Sequence, residues 1–196
     1  MAKPFLPLVI YCDKELSNKI IKIQKELARV TGSRKSIDSW QPHITIGNGV
    51  QVDDEKPKTI NSLIRDIQEV TKNSKPFKIK VKDFEFLIHD NLRSLGLTHY
   101  VVYLKIEKTP ELVKLAADIK NKVTDKRFST YKQPWPYKPH LTVAFGDLTK
   151  EGFEKAKKAL RRKKFREEMI IDHVALARED SKGRFKDFKR ISFPYN

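Results

Sequence analysis

Two short stretches carry residues whose types and spacing could do chemistry together. The first reads Pro42-His43-Ile44-Thr45-Ile46 and the second Pro139-His140-Leu141-Thr142-Val143. Strand side chains alternate between faces, so histidine and threonine at i and i+2 project together while Ile44 and Leu141 project the other way. Each stretch thus presents an imidazole and a hydroxyl about 6–7 Å apart along the strand. A neutral imidazole takes the proton of an attacking water or ribose hydroxyl, and a protonated one gives a proton to the leaving oxygen. Threonine hydroxyls can hold the non-bridging oxygens and keep the phosphorus in line between the rings. Such a set suffices for phosphoester chemistry without a metal.

One His-apolar-Thr triplet alone is an ordinary strand face. Two become a site only if the chain brings them to equivalent places, and the order of elements predicts this. A strand over 8–11 ends at Asp13, a helix cap. Leu16, Ile20, Ile23, Leu27 and Val30 then mark one helical face, and Gly32 stops the helix. A strand over 42–47 follows, then a helix opened by Pro57 with Ile60, Leu63, Ile64, Ile67 and Val70 on one face. Residues 77–82 alternate cleanly and β character continues over 83–88. After a polar connector at 90–98 the order restarts. It runs strand 100–106, a helix capped by Thr109-Pro110, strand 137–145, helix 149–164, then strands 169–177 and 188–193. First helices near 14 and 110, second strands near 42 and 139, and second helices near 57 and 149 keep roughly one separation, the mark of an internal duplication. The expectation is an α+β fold in one domain over 1–196, with two pseudo-symmetric β-α-β-α-β-β lobes, about 1–90 and 98–196. Antiparallel-rich sheets would line a cleft between them.

With both motifs intact, the chain resembles the 2H phosphoesterase superfamily, and within it the 2′,5′ RNA ligase/RNA 2′,3′-cyclic phosphodiesterase branch. The resemblance covers the whole chain. It implies a two-lobed α+β fold and metal-independent, cofactor-free phosphodiester chemistry. It also implies that His43 and His140 are catalytic and that Thr45 and Thr142 bind phosphate. The run Ile46-Gly47-Asn48-Gly49-Val50 departs from the family's usual bulky apolar pair before glycine, which bears on subfamily and substrate and leaves the motif untouched. The expected reaction is opening of 2′,3′-cyclic phosphate ends of RNA. The alternatives are joining or cleavage of 2′,5′ linkages in tRNA halves or oligoadenylates, and a non-catalytic RNA-binding module.

The rest of the chain bears on partners. Of 196 residues, 41 are Lys or Arg and 25 Asp or Glu, a net charge of +16 that suits an anionic partner such as RNA or a nucleotide. Residues 150–166 contribute +7 of this, mostly on the face opposite Phe153, Ala156 and Leu160, as expected of a solvated helix face. Tyr137 and Trp135 are candidate base-stacking rings, and Lys132 and Lys138 candidate phosphate contacts. Trp40 and Tyr131 are read as closing the core edge. His89 and His99 are expected in exposed or turn roles, and His173 as a satisfied strand histidine. The single cysteine, Cys12, excludes an internal disulfide and a Cys-based metal cluster, and is read as a small core hydrophobe. No P-loop, His-Glu-x-x-His or Cys-x-x-Cys spacing occurs. The apolar run at 5–11 is too short for a signal peptide or membrane span. A cytoplasmic protein, with nothing demanding more than a monomer, is the expectation.

Overall fold

The computed structural model describes residues 5–51, 57–92, 97–123, 129–130 and 137–194. Among these described residues, nine strands and five helices follow in the order β1 (Phe5–Tyr11), α1 (Lys14–Thr31), α2 (Lys35–Ser39), β2 (His43–Gln51), α3 (Pro57–Thr71), β3 (Phe77–Leu92), β4 (Leu97–Ile106), α4 (Pro110–Val123), β5 (Ser129–Thr130), β6 (His140–Ala144), α5 (Lys150–Leu160), β7 (Arg166–Ile171), β8 (His173–Glu179) and β9 (Phe185–Ser192). One curled sheet runs β7-β3-β4-β6-β2-β1-β8-β9, with β5 also on β2. Among the described residues, the ladders between these strands are antiparallel.

Local chemistry sets the helix ends. The Asp13 carboxylate accepts from Leu16 N at 2.8 Å, and Gly32, at φ 79°, returns its N–H to the Ala28 carbonyl at 2.9 Å. Thr149 caps α5 by accepting from Gly152 N at 3.1 Å. Leu16, Ile20, Ile23 and Leu27 are buried as their spacing predicts, whereas Val30, the next-to-last residue of the helix, is exposed. Helix α5 stops at Leu160, short of 164. Phe165 instead buries itself and gives its carbonyl to Asp83 N at 2.9 Å, so the chain must already be extended there.

The strand expected over 169–177 is two strands. It breaks at Asp172, whose carbonyl accepts from Phe193 N at 2.7 Å, and β7 and β8 then join opposite ends of the sheet. The connector expected at 90–98 is mostly strand, since β3 reaches Leu92 and β4 begins at Leu97. Pairing therefore crosses the middle of the chain: β3 bonds β4, and β8 bonds β1.

The four long helices pack as α1 with α5 and α3 with α4, over one face of the sheet. Leu8, Ile10, Ile44, Ile46, Val102, Leu104 and Leu141 from that face join them in the main core. The other face carries a small cluster of Val9, Tyr11, Ala175 and Ala177, backed by Trp40 and Phe185. A bulge at Asp83, at φ 48°, shifts the register of β3. Beyond it, Phe84 and Phe86 turn to the helices while Glu85, Leu87 and His89 share the other face with Tyr103, Val101 and His99.

Candidate active site

The two motif strands meet at the centre of the sheet. Ile44 pairs with Leu141 across the β2–β6 seam, both fully buried, so the residues on either side of each project from the open face. His43 and Thr45 thus share that face with His140 and Thr142. Each motif strand has a matching neighbour. On β1, Val9 lies opposite Thr45 and Tyr11 opposite His43; on β4, Tyr103 lies opposite Thr142 and Lys105 opposite His140. Each imidazole meets a tyrosine edge-on, His43 with Tyr11 at 6.4 Å and His140 with Tyr103 at 5.2 Å.

Both rings are held alike. His43 Nδ1 lies 2.8 Å from the Gln41 carbonyl, and His140 Nδ1 lies 2.8 Å from the Lys138 carbonyl. A carbonyl only accepts, so each Nδ1 carries the proton and each Nε2 is left to gain or lose one. Burial pushes His43 down to about 4, with the Gln41 carbonyl opposing and a charge on His140 adding to the fall. Burial also lowers His140; the Lys138 carbonyl opposes, and the charges of Lys138 and His89 lower it further. At neutral pH both imidazoles are therefore uncharged bases.

Thr45, Thr142 and His140 line a cavity of about 340 Å³ that continues over Leu87, Val101 and Phe145. Tyr137 also lines it and donates to the Thr45 carbonyl at 3.3 Å; burial raises its phenol. Lys138 lines it too, but its ammonium bonds the Tyr103 hydroxyl at 2.6 Å and Glu85 at 3.1 Å. Glu85 in turn accepts from the Tyr103 hydroxyl and pairs with Lys105 at 2.6 Å. These partners, led by Lys105, hold the Glu85 carboxyl down to about 2. Trp135 and Lys132 lie outside the described residues.

Several expectations change. Trp40 backs the small cluster at the core edge, as expected, and in addition stands 4.4 Å from the His43 ring and stacks on Phe185 at 3.9 Å. His89 lines the cavity, and His99 is its cross-strand partner beside Phe145. His173 is buried with Nδ1 on Asp172 at 2.7 Å, as expected, but its Nε2 has no partner among the described residues. Cys12 is partly buried and packs on the main core, as expected. Tyr11, Glu85, Tyr103 and Lys105 were not singled out from the sequence. Their only signal is alternation, and it becomes readable once the register and the Asp83 bulge are known. Helix α5 lies on the far face, with Phe153 against Phe86 and Tyr100, so its lysines do not reach the histidine face. Among the described residues, no three His, Cys, Asp or Glu side chains converge to hold a metal ion. No helix there is long and apolar enough to cross a membrane.

Comparison with known proteins follows the same lines. The model of the 2′-5′ RNA ligase superfamily matches residues 50–183, and that of LigT-like phosphoesterases matches residues 10–87, so between them they span both motifs. Curated proteins of Bacillus cereus and Bacillus mycoides that carry phosphoesterase in their names are 27% identical over 175 residues, covering 87% of this chain and 86% of theirs. Among solved structures, E. coli LigT complexed with 3′-AMP superposes at a TM-score of 0.69, with 17% identity over 98% of this chain and 99% of that one. A Thermus thermophilus protein superposes at 0.62, with 14% identity over 96% and 97%. By its sequence motifs and by the family models that match it, the chain belongs to the 2′-5′ RNA ligase superfamily, the LigT-like 2H phosphoesterases.

Proposed function

We propose that the protein is a metal-independent phosphodiesterase that opens 2′,3′-cyclic phosphate ends of RNA, with His43 and His140 as its acid/base pair. The observation that carries this reading is the matched pair of Nδ1–carbonyl bonds, which leaves two Nε2 atoms of the same tautomer on one face. One imidazole takes a proton from water as its oxygen bonds to phosphorus. The bond from phosphorus to one ribose oxygen breaks, and the other histidine, protonated, delivers its proton there. Both rings are neutral in the free protein, so the phosphate itself must supply the asymmetry. Its negative charge favours an imidazolium on one side, against the burial that lowers both. Thr45 and Thr142 hold the non-bridging oxygens.

A two-lobed, pseudo-two-fold organisation belongs to the same proposal. β1-α1-β2 and β4-α4-β6 run in the same order on either side of the Ile44–Leu141 seam, with β3 lent to one side and β8–β9 to the other.

The test is turnover of a short RNA ending in a cyclic phosphate, in EDTA. His43→Ala and His140→Ala should each lose about 10²–10⁴-fold. Near wild-type turnover in either variant rules the mechanism out. The family match favours one second reading, joining or cleavage of 2′,5′ linkages. Linkage-resolved product analysis separates the two. Histidine variants that leave RNA affinity intact while no turnover occurs in any variant would mark a binding module instead.

A further inference from the structure

Two of the groups that hold the His43 ring lie on the segment just after α2. Trp40, the C-cap of that helix, stands 4.4 Å from the ring, and the Gln41 carbonyl is 2.8 Å from its Nδ1. Helix α2 has little of its own to keep it in place. It spans five residues, buries none of them, and its N-cap, Arg34, makes no side-chain capping bond. So short a helix is not stable alone, and its first N–H groups need acceptors. Asp147 supplies one from another element. One of its carboxylate oxygens accepts from Arg34 N at 2.7 Å and Lys35 N at 3.0 Å, and the other accepts from the Ser33 hydroxyl at 2.6 Å. The approach is close. At Gly146, with φ 91°, an added Cβ would stand 2.7 Å from Lys35 Cδ, so glycine suits the position on both counts. Burial raises the Asp147 carboxyl, but the Ser33 hydroxyl and the two backbone N–H groups outweigh it and hold the group below its ordinary range. It is therefore a carboxylate wherever imidazoles titrate.

Asp147 stands just past the end of β6, the strand that carries His140 and Thr142. We propose that Asp147 is a positioning residue for His43, bracing α2 so that Trp40 and the Gln41 carbonyl stay against the imidazole. The strand of the second motif thereby governs the placement of the first motif's histidine. The stack on Phe185 at 3.9 Å is the other anchor of the indole. His43 also faces Tyr11 from β1, which lies beside Asp187 and Arg190 of β9, and feels the charge of His140 from β6. The proposal rests on the phosphodiesterase reading for its effect on turnover, while the placement of His43 is measured apart from turnover.

The experiment is NMR titration of the His43 imidazole in the full chain, its signal assigned by its absence in His43→Asn. In Asp147→Ala the titration should move up by about one pH unit, toward the ordinary value, because a ring released from its supports returns to water. A carboxylate acting only through its charge would, when lost, move the titration down, so the sign separates displacement from charge. Asp147→Asn keeps an acceptor oxygen for the two N–H groups and should titrate as the wild type does. Adding Trp40→Ala to Asp147→Ala should give less than the sum of the two single shifts, since both act through the indole. Ser33→Ala removes one of the three bonds and should move the titration up by less, which serves if Asp147→Ala does not fold. A titration that stays put or falls in the alanine variants, equal upward shifts in Asp147→Ala and Asp147→Asn, or single shifts that simply add overturn the brace. Turnover of the cyclic-ended RNA is measured alongside, and kcat/KM should fall about tenfold in Asp147→Ala. No wild-type turnover with the His43 shift present counts against the catalytic reading alone. Wild-type turnover with His43 unmoved in the variants counts against the brace alone.

Discussion

The Trp40 indole lies 4.4 Å from the His43 imidazole, tilted 31° to it, while stacking on Phe185 at 3.9 Å with the rings within 6° of parallel. A backbone bridge joins the same two residues, Trp40 and Phe185. The β8–β9 hairpin holds Phe185 in place, its turn pinned by Asp180, which accepts from Lys182 N at 2.9 Å and Arg184 N at 3.0 Å. A strand that carries no motif residue thus fixes one wall of a motif histidine's ring.

Trp40 is accordingly a positioning residue. Trp40→Ala should lower kcat/KM by about 10- to 100-fold, because a displaced imidazole loses its alignment. It should also move the acidic limb of the pH profile upward, since an imidazole returned to water regains a higher pKa. Trp40→Phe keeps a ring against His43 and should restore the limb. Were the indole mere packing, activity would fall at every pH with the limb in place.

The pH dependence of stability has a definite sign. Burial lowers both motif histidines below the ordinary value of about 6.5, His43 to about 4. Between those pH values the unfolded chain binds more protons than the folded one, so stability rises with pH. Thermal melts should show stability undiminished by these groups above about pH 6.5 and falling toward pH 4. His43→Asn, which does not titrate, should flatten part of that slope. A wild-type melting temperature that holds steady from pH 7 to pH 4 contradicts the burial of both rings.

Glu85 restrains the cations beside His140. Lys105 and Lys138 both pair with it, at 2.6 and 3.1 Å. Glu85→Gln should release Lys138 toward a bound phosphate, tightening nucleotide binding severalfold and steepening its salt dependence. Titration of a nucleoside monophosphate at two ionic strengths reads this. Unchanged affinity at both would show that Lys138 serves the network only.

Ile44 ties the motif strands together from beneath. Ile44→Ala removes a fully buried side chain at the seam and should cost about 2–5 kcal/mol of stability. Chemical denaturation measures the cost. Activity should fall beyond the loss of folded protein, because the cavity opens under both histidines.

Much of this was legible in the chain itself. The His-x-Thr pairs, the buried Ile44 and Leu141, the Asp13 and Gly32 caps and the faces of α1 and α3 follow from periodicity and capping, which act over a few residues. The break at Asp172, the end of α5 and the pairing of β3 with β4 differ from the local pattern. Each depends on which distant strand the segment joins, and local pattern holds no record of that.

The sequence by itself determined which four side chains could act on a phosphodiester, and that each histidine would stand beside its threonine. Only the tertiary structure decided their company. The curl of the sheet sets Tyr11 and Trp40 against His43, and the Asp83 bulge turns Glu85 and His89 toward His140. It also sends the lysines of α5 to the far face, away from the reaction. Alternation along a strand is a local property of the backbone, whereas the neighbour across a ladder is chosen by register, and register is set by the packing of the whole sheet.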